Sequence, residues 1–404
     1  MPGLSSSEAR NVLAAALLNV FRGLAESGFR TFFSSYMGRL GYSLGEIGAV
    51  ATLSNVLGAA VSPAVGYLLE VYSSRLITAL TGIVSAASLA MLALSSDVAS
   101  LTISYALFNL AVYFAQPART VFLARTVEMG RLGTVVGITT FTFTASRAVG
   151  PVLGGYLVNA YGYSITFLVL ALAATAGSAA FLVLSQEPKS GGRGRRPRLV
   201  EAYRNAVKPG KSLALTYLFT SIDRAAWNLW NPMLSAHLLR KGYDEVSIGA
   251  LLSLSNVVEA VSTPIAGRLT DRFGSSMSLA LSEATAAAAA ISLASPSPQP
   301  VAVLSMVSIG LSLGFWMPGY NVYVAKVFEN VGEAFASINA VRSLASVPSP
   351  YLGGLLYEAA SPVAPFVAST AMLVAATGIA ATGLRDIEMR DKPQNQTPYR
   401  TLPH

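Results

Sequence analysis

The stretch GYSLGEIGAVATLSNVLGAAVSPAVGYLLE, residues 41 to 70, returns 201 residues later as GYDEVSIGALLSLSNVVEAVSTPIAGRLTD, residues 242 to 271, with 13 identical pairs in 30. The same offset pairs Pro117 with Pro318, Ala124 with Ala325 and Glu128 with Glu329. Near the end of each half it drifts to 199, matching GPVLGG (150 to 155) to SPYLGG (349 to 354). Such a self-match across a 404-residue chain predicts two tandem copies of one structural unit.

Composition says what kind of unit. Hydrophobic residues make up 53% of the chain, charged residues only 12%, and mean hydropathy is +0.53, which is not the balance of a water-soluble protein. Apolar stretches long enough to cross about 30 Å of hydrocarbon fall at approximately 11 to 37, 44 to 67, 75 to 95, 98 to 124, 132 to 159 and 163 to 184 in the first half. In the second they fall at 212 to 238, 246 to 267, 277 to 295, 300 to 325, 333 to 357 and 363 to 384. The run after Arg10 has the look of a signal-peptide core, but no small-residue cleavage site follows it and eleven more spans do, so it reads as the first membrane helix. The expected fold is all-α and polytopic: twelve transmembrane helices in two pseudo-symmetric six-helix bundles.

Charge sets the orientation. Of the 28 Lys and Arg, 19 fall on one side of this topology, 3 on the other (Arg39, Arg240, Lys241) and 6 within spans. The positive-inside bias then places both termini in the cytoplasm and makes the net charge of +8 a signature of the membrane, not of nucleic acid. Expected domains are a six-helix bundle at 1–186, a basic cytoplasmic linker at 187–211 that includes KSGGRGRRPRLVEAYRNAVKPGK, a second bundle at 212–388 and a cytoplasmic tail at 389–404. Within the linker, RPRLVEAYRNAV reads either as an amphipathic helix on the inner leaflet or as a solvated connector. The absence of Cys and the presence of only two His leave no soft-metal cluster or disulfide to expect. Parallel duplicated halves suit alternating access around a midplane site.

At this point the chain resembles the major facilitator superfamily of secondary transporters, over essentially its whole length. GRLTDRFGSS (267 to 276) is similar to that family's signature loop between the second and third helices of a half, through Gly267, Leu269, Asp271, Arg272 and Gly274. The first-half copy GYLLEVYSSR keeps Gly66, Leu68, Glu70 and Arg75, with Val71 and Ser73 where the central arginine and second glycine stand in the other. The resemblance implies two bundles that rock against each other and need a reversible latch on the cytoplasmic side. Asp271, oriented by Arg272, would act against the start of the fifth helix near Arg131, and Glu70 against the eleventh near Glu333, each carboxylate facing the positive end of a helix. Alternatively, these charges only stop the helix and hold the loop inside. Gly150, Pro151, Gly154 and Gly155 of GPVLGG resemble the motif associated with antiporters of the family, although Ser146 stands where its upstream glycine is usual.

Polar residues inside the spans are the site candidates, because each intramembrane charge costs about 2.5 to 3.5 kcal/mol on insertion scales and so faces the bundle interior. In the first helix Asn19, Arg22, Glu26 and Arg30 recur at spacings of three or four and share one face. In the seventh, Asp223, Arg224, Trp227, Asn228 and Asn231 do the same and end at Pro232, where a local break is expected. The 201-residue offset puts Arg22 in register with Asp223. These two helices line the central cavity in the family, so the two charges are expected to meet across it or to share a substrate.

Arg22 and Glu26 also fit a purely structural i to i+4 ion pair. Glu26 is the first candidate for a coupling proton site, followed by Glu259 and then Glu283. Around Pro117 the fourth helix carries Asn109, Tyr113, Gln116 and Arg119, and around Pro318 the tenth carries Trp316, Tyr320, Asn321 and Tyr323, a mixed wall suited to a small-molecule pocket. Arg147 and Arg342 complete six interior arginines against four carboxylates.

The functional expectation is a secondary active transporter: a proton-coupled antiporter exporting small organic compounds. Uptake or exchange of a small organic anion is the alternative that the arginines favour. It is not expected to be an enzyme. No GxxxxGK[ST] appears and GGRGRR follows no strand, so no nucleotide or other cofactor is expected and a proton or ion gradient would supply the energy. Expected partners are a small-molecule substrate and the lipid bilayer of the cell membrane, not nucleic acid, with the monomer as the working unit.

Overall fold

The computed structural model describes residues 5–186, 214–295, 299–328 and 331–390. The linker at 187–211 and most of the expected tail lie outside the described residues. Those described are helical, with no strand among them.

Five long helices open the chain: α1 Ser6–Arg39, α2 Leu44–Val71, α3 Ser74–Leu94, α4 Val98–Thr126, and a continuous segment Met129–Leu184. That segment leaves helical geometry at Gly162 (φ 82°, ψ 170°), giving α5 (129–161) and α6 (163–184). The packing on α1 shows that the chain reverses there. Gly23, Ser27 and Phe32 meet Ser146, Gly150 and Gly154 in ascending order along α5. Phe21 and Gly28, by contrast, meet Gly177 and Leu170 in descending order along α6.

The second half repeats this with two interruptions. α7 Ala214–Asn228 passes through a 3-10 turn at Asn231–Met233 into α8 Leu234–Arg240, so the expected break at Pro232 is present. α9 Glu245–Phe273, α10 Ser275–Ala294 and α11 Gln299–Val327 follow. The eleventh crossing is divided into α12 Val331–Ala345 and α13 Ser349–Ala359. The twelfth, α14 Ala364–Ile379, runs through one π turn into α15 Arg385–Arg390. The chain thus has twelve crossings in two pseudo-symmetric bundles of six, with Leu94, Leu172 and Val183 among the exposed apolar side chains, as lipid contact requires.

The opening residues of the quoted repeat explain the equivalent turns. Gly41 (φ 92°) and Gly242 (φ 89°) lie in the left-handed region just past α1 and α8. Tyr42 N donates to Met37 O, and Tyr243 N to Leu238 O, closing the same turn in each half. The next helices are then capped by Ser43 and Asp244, whose side chains accept from Glu46 N and Ser247 N. Donors on Ser247 hold the Asp244 carboxyl below the usual carboxylate range, and those on Ser100 do the same for Asp97, the cap of α4.

The cores show how the bundles sit. One cluster joins residues of both halves, Phe29, Phe33 and Phe108 with Trp230, Met233 and Phe366. It fills the face opposite the described chain ends, Ser5 and Arg390. Toward the face that carries those ends, the cores are separate: Val12, Leu18, Phe122 and Phe181 in the first bundle, Phe219, Leu279, Tyr323 and Ala380 in the second.

Candidate functional site

The first-helix stripe forms as its spacing predicts. Glu26 accepts from both neighbours on α1, Arg22 Nη2 at 3.3 Å and Arg30 Nε at 3.1 Å, so both carboxylate oxygens are committed within one helix. Arg30 is 46% exposed, whereas Glu26 is buried. The guanidinium of Arg22 lies 4.7 Å from the ring centroid of Phe143 on α5, with that of Arg147 at 5.8 Å, so this ring faces two cations. One turn nearer the chain ends, Arg119 of α4 donates to Asn19 Oδ1 at 2.6 Å, and Asn19 Nδ2 donates to Thr139 O on α5. These bonds tie α1, α4 and α5 through buried polar groups.

A second cluster forms in the other bundle. Asp223 on α7, which is buried, pairs with the partly buried Arg342 on α12 at 3.7 Å. The Arg342 guanidinium rests over the rings of Trp316 and Tyr320 at 5.3 and 5.8 Å. Trp316 is stacked on Tyr320 at 5.5 Å and on Phe219 at 5.8 Å, so aromatic rings of α7 and α11 pack beside this arginine. Glu283 on α10 is fully buried behind it.

Arg22 and Asp223 occupy equivalent places but do not pair. Each takes its partner from its own bundle. A charge that crosses between bundles near mid-depth is Arg147, whose Nη1 lies 3.6 Å from Glu259 Oε1 on α9 and whose Nη2 donates to Asn256 Oδ1 at 3.2 Å. Asn256 Nδ2 returns a bond to Arg147 O at 2.9 Å. Toward the closed face the bundles approach at backbone distance. Gly249 packs on Pro151 O and Gly48 on Pro350 O, while Gly155 meets Glu245 and Val246 and Gly354 meets Leu44 and Gly45. Val152 N donates to Ser253 Oγ at 3.1 Å and Tyr351 N to Thr52 Oγ1 at 3.0 Å, the same bond in both pseudo-equivalent seams. GPVLGG and its second-half copy therefore face the opposite bundle with Gly155 and Gly354, while Gly150 and Gly154 face Ser27 and Phe32 of α1.

The other candidates take varied places. Asn109 Nδ2 donates to its own-helix Tyr105 O at 3.0 Å, and Tyr113 packs against Gly58 of α2. Gln116, Asn231 and Asn321 are exposed. Trp227 packs on Trp230 at 5.0 Å, and buried Asn228 Nδ2 has no hydrogen-bond partner among the described residues. Arg224 has no carboxylate within ion-pair distance among them either. In the signature loop Gly274 carries φ 96° and closes α9, and Gly267 has open space around it. Arg272 lies over Phe273 at 5.2 Å, and Asp271 is exposed with no ion pair among the described residues. Arg131 is 3.9 Å from Glu128, and no ion pair joins Asp271 to Arg131 among the described residues. Arg75 ties α3 to α6 through Ser185 Oγ at 2.8 Å and Leu182 O at 2.6 Å. The side chains of Glu70 and Glu333 and the surroundings of Gly66 are outside what is described.

Sequence reasoning missed four contributors: Phe143, Asn256, Thr139 and Glu245. Glu245 takes Arg39 Nη2 at 2.8 Å and Tyr163 Oη at 3.0 Å across the closed face. Asn256 was legible as an amide inside an apolar span. The others become visible only when helices are juxtaposed.

Comparison with known proteins agrees with this architecture. The family described as Major Facilitator Superfamily matches residues 15–350 and 213–402. The chain is similar in fold to a bacterial homolog of the human lysosomal transporter Spinster, in an inward-facing and unoccupied conformation. That similarity has a TM-score of 0.74 at 13% identity and covers 97% of this chain and 99% of that one. A mutant form of the nucleoside transporter NupG gives a TM-score of 0.74 at 15% identity, covering 93% and 99%. "Multidrug resistance protein 1" of Bacillus subtilis (strain 168) is 24% identical over 170 residues, 41% of this chain, so the chain spans 44% of the length of that curated relative. With two matched six-helix bundles, charged midplane clusters and a family match over most of its length, the chain belongs to the Major Facilitator Superfamily.

Proposed function

We propose that this transporter is a secondary, proton-coupled antiporter of the cell membrane that exports small organic compounds by alternating access, with both termini cytoplasmic and the monomer as working unit. The observation that carries the reading is the contrast along one helix pair. α5 and α9 touch at Gly155 and Gly249, whereas a Cβ added at Gly133 or Gly137 of α5 or at Gly267 of α9 would meet no other part of the protein within 4 Å. A cavity open toward the chain ends and sealed opposite them is one of the two states that alternating access needs.

The antiparallel seam also supports the expected latch. Contacts descend α9 as they climb α5, from 155 with 245 through 151 with 249 to 147 with 259. Continued in the same register, Gly267 comes opposite about Gly137, and Asp271 opposite about Gly133 in the first turns of α5. The N-cap of α5, Glu128, makes no side-chain capping bond, and the Glu8 carboxylate of α1 already accepts from Glu128 N at 3.1 Å at this helix end, a place suited to a further acidic group. A carboxylate arriving at that helix end contributes about 0.3 to 1 kcal/mol, enough to latch and weak enough to release. Asp271→Ala is expected to slow transport several-fold; transport at the wild-type rate leaves the loop a plain helix stop.

The aromatic wall of Phe219, Trp316 and Tyr320 supports an apolar organic substrate, in line with the partial likeness to a multidrug resistance protein. A second reading, exchange of a small organic anion, is favoured by exposed Arg30 and by Arg224, which has no carboxylate partner among the described residues. Proteoliposomes loaded with a pH-sensing dye separate these. Proton flux evoked by cationic dyes supports export of organic compounds, flux evoked by organic anions alone selects the second reading, and no flux with either overturns proton coupling.

A further inference from the structure

Glu283 sits in the middle of α10, a helix behind the aromatic wall, with 0% exposure. Neither of its carboxylate oxygens has a hydrogen-bond partner among the described residues. Ionised carboxylates in an apolar interior need donors or a paired cation, and Glu283 has no such contact.

Its electrical surroundings are compact. The charges acting on it are Asp223 from α7 and Arg342 from α12. From α11 comes Tyr320, which interacts with the same Asp223 and Arg342. α14 carries no titratable residue, and Glu283 is the only one on α10. On α9, Glu259 is turned toward Arg147 of the other bundle. Glu388 and Lys326 lie two turns away, at the first residues of α10, where Glu388 is bound to Ser275, Ser276 and Lys326.

We propose that Glu283 and Asp223 are one proton-binding site, in which the position of a single proton decides which carboxylate Arg342 holds. With Arg342 holding Asp223, the proton is assigned to Glu283. When the proton passes to Asp223, one O–H bond breaks at Glu283 and one forms at Asp223. Arg342 follows the negative charge to Glu283, and the summed charge of the three groups stays at zero. Asp223, on a cavity-lining helix, then releases the proton to cavity water. Arg342 lies over Trp316 and Tyr320, so its displacement reshapes the aromatic wall and couples proton movement to solute binding. Glu26 is unsuited to this role because Arg22 and Arg30 already occupy both of its oxygens.

This assignment rests on the proton-coupled reading above, and two measurements on the full reconstituted chain keep them apart. The first is infrared difference spectroscopy across a pH titration. It is expected to show the C=O stretch of a protonated buried carboxyl that is lost in Glu283→Gln and retained in both Glu283→Asp and Glu26→Gln. The second is proton flux in dye-loaded vesicles during exchange of cationic dyes or organic anions. Flux is expected to be lost in Glu283→Gln, and lost or strongly reduced in Asp223→Asn, while Glu46→Gln, at the exposed start of α2, keeps it. A carboxyl band unchanged in Glu283→Gln overturns the site, whatever the flux. A band that behaves as expected in a wild-type protein giving no flux overturns the coupling reading, and the transport role of Glu283 with it.

Discussion

Gly249 and Gly48 are held to a single hydrogen side chain by the carbonyls of Pro151 and Pro350, and both contacts lie where the bundles close. A branched side chain at Gly249 has nowhere to go except by parting α9 from α5. Overpacking of this kind costs about 1 to 3 kcal/mol. Because only the closed seam bears that cost, Gly249→Val is expected to shift the population toward the alternate state by roughly 5- to 150-fold. Thiol labelling at a Ser253→Cys reporter measures this, and labelling no faster than in the parent rejects it. Nearby, Arg147 and Glu259 are mostly buried at 25% and 17% side-chain exposure. Removing either alone leaves its partner uncompensated, so a double-mutant cycle with Arg147→Ala and Glu259→Ala is expected to return a coupling of about 0.5 to 3 kcal/mol in thermal stability. Site residues differ in how far the chain order reveals them. The Arg22, Glu26, Arg30 ladder is legible because its bonds join residues four apart. Arg119 with Asn19, Arg342 with Asp223 and Arg147 with Glu259 are joined by tertiary packing, which no local periodicity records.

Individual helices show how one repeat can carry two different solutions to the same turn. In the second half, Gly274 closes α9 at φ 96° and ψ 156°, a conformation open almost only to glycine, and passes directly into α10. In the first half Ser73 stands there at φ −60°, and its hydroxyl accepts from Leu76 N at 3.2 Å, capping α3. The loss of the second glycine from the signature pattern is thus a change of capping device. Gly274→Ala is expected to destabilise the protein by roughly 1 to 3 kcal/mol, whereas Ser73→Gly costs only a few tenths. Thermal melting in detergent compares the two, and equal losses contradict the difference in backbone geometry. The apolar runs mark all twelve crossings, and Pro232 marks the break in the seventh. The division of the eleventh between Ala345 and Ser349 is not foreseen, although Pro348 and Pro350 stand at it, because apolar length alone carries the reading of a single span.

For the whole molecule, what matters is that the two bundles share one core at the closed face and keep separate cores toward the chain ends. A body joined at one end can open only by exchanging that seam for its counterpart, and chain order supplies the counterpart through the register of α5 and α9. The chain contains no Cys, so introduced pairs report without background. Val152→Cys with Ser253→Cys lies across the closed seam, where Val152 N and Ser253 Oγ are 3.1 Å apart. The register of α5 and α9 sets Gly137→Cys and Gly267→Cys opposite each other across the open one. At rest the first pair is expected to cross-link and the second to remain free. Under a proton gradient with transported solute the second pair is expected to form as the first declines, and either cross-link should stop transport until it is reduced. Cross-linking of both pairs at once at rest would mean that the seams are not alternatives, and a rocking exchange between them would then have no structural basis in this chain.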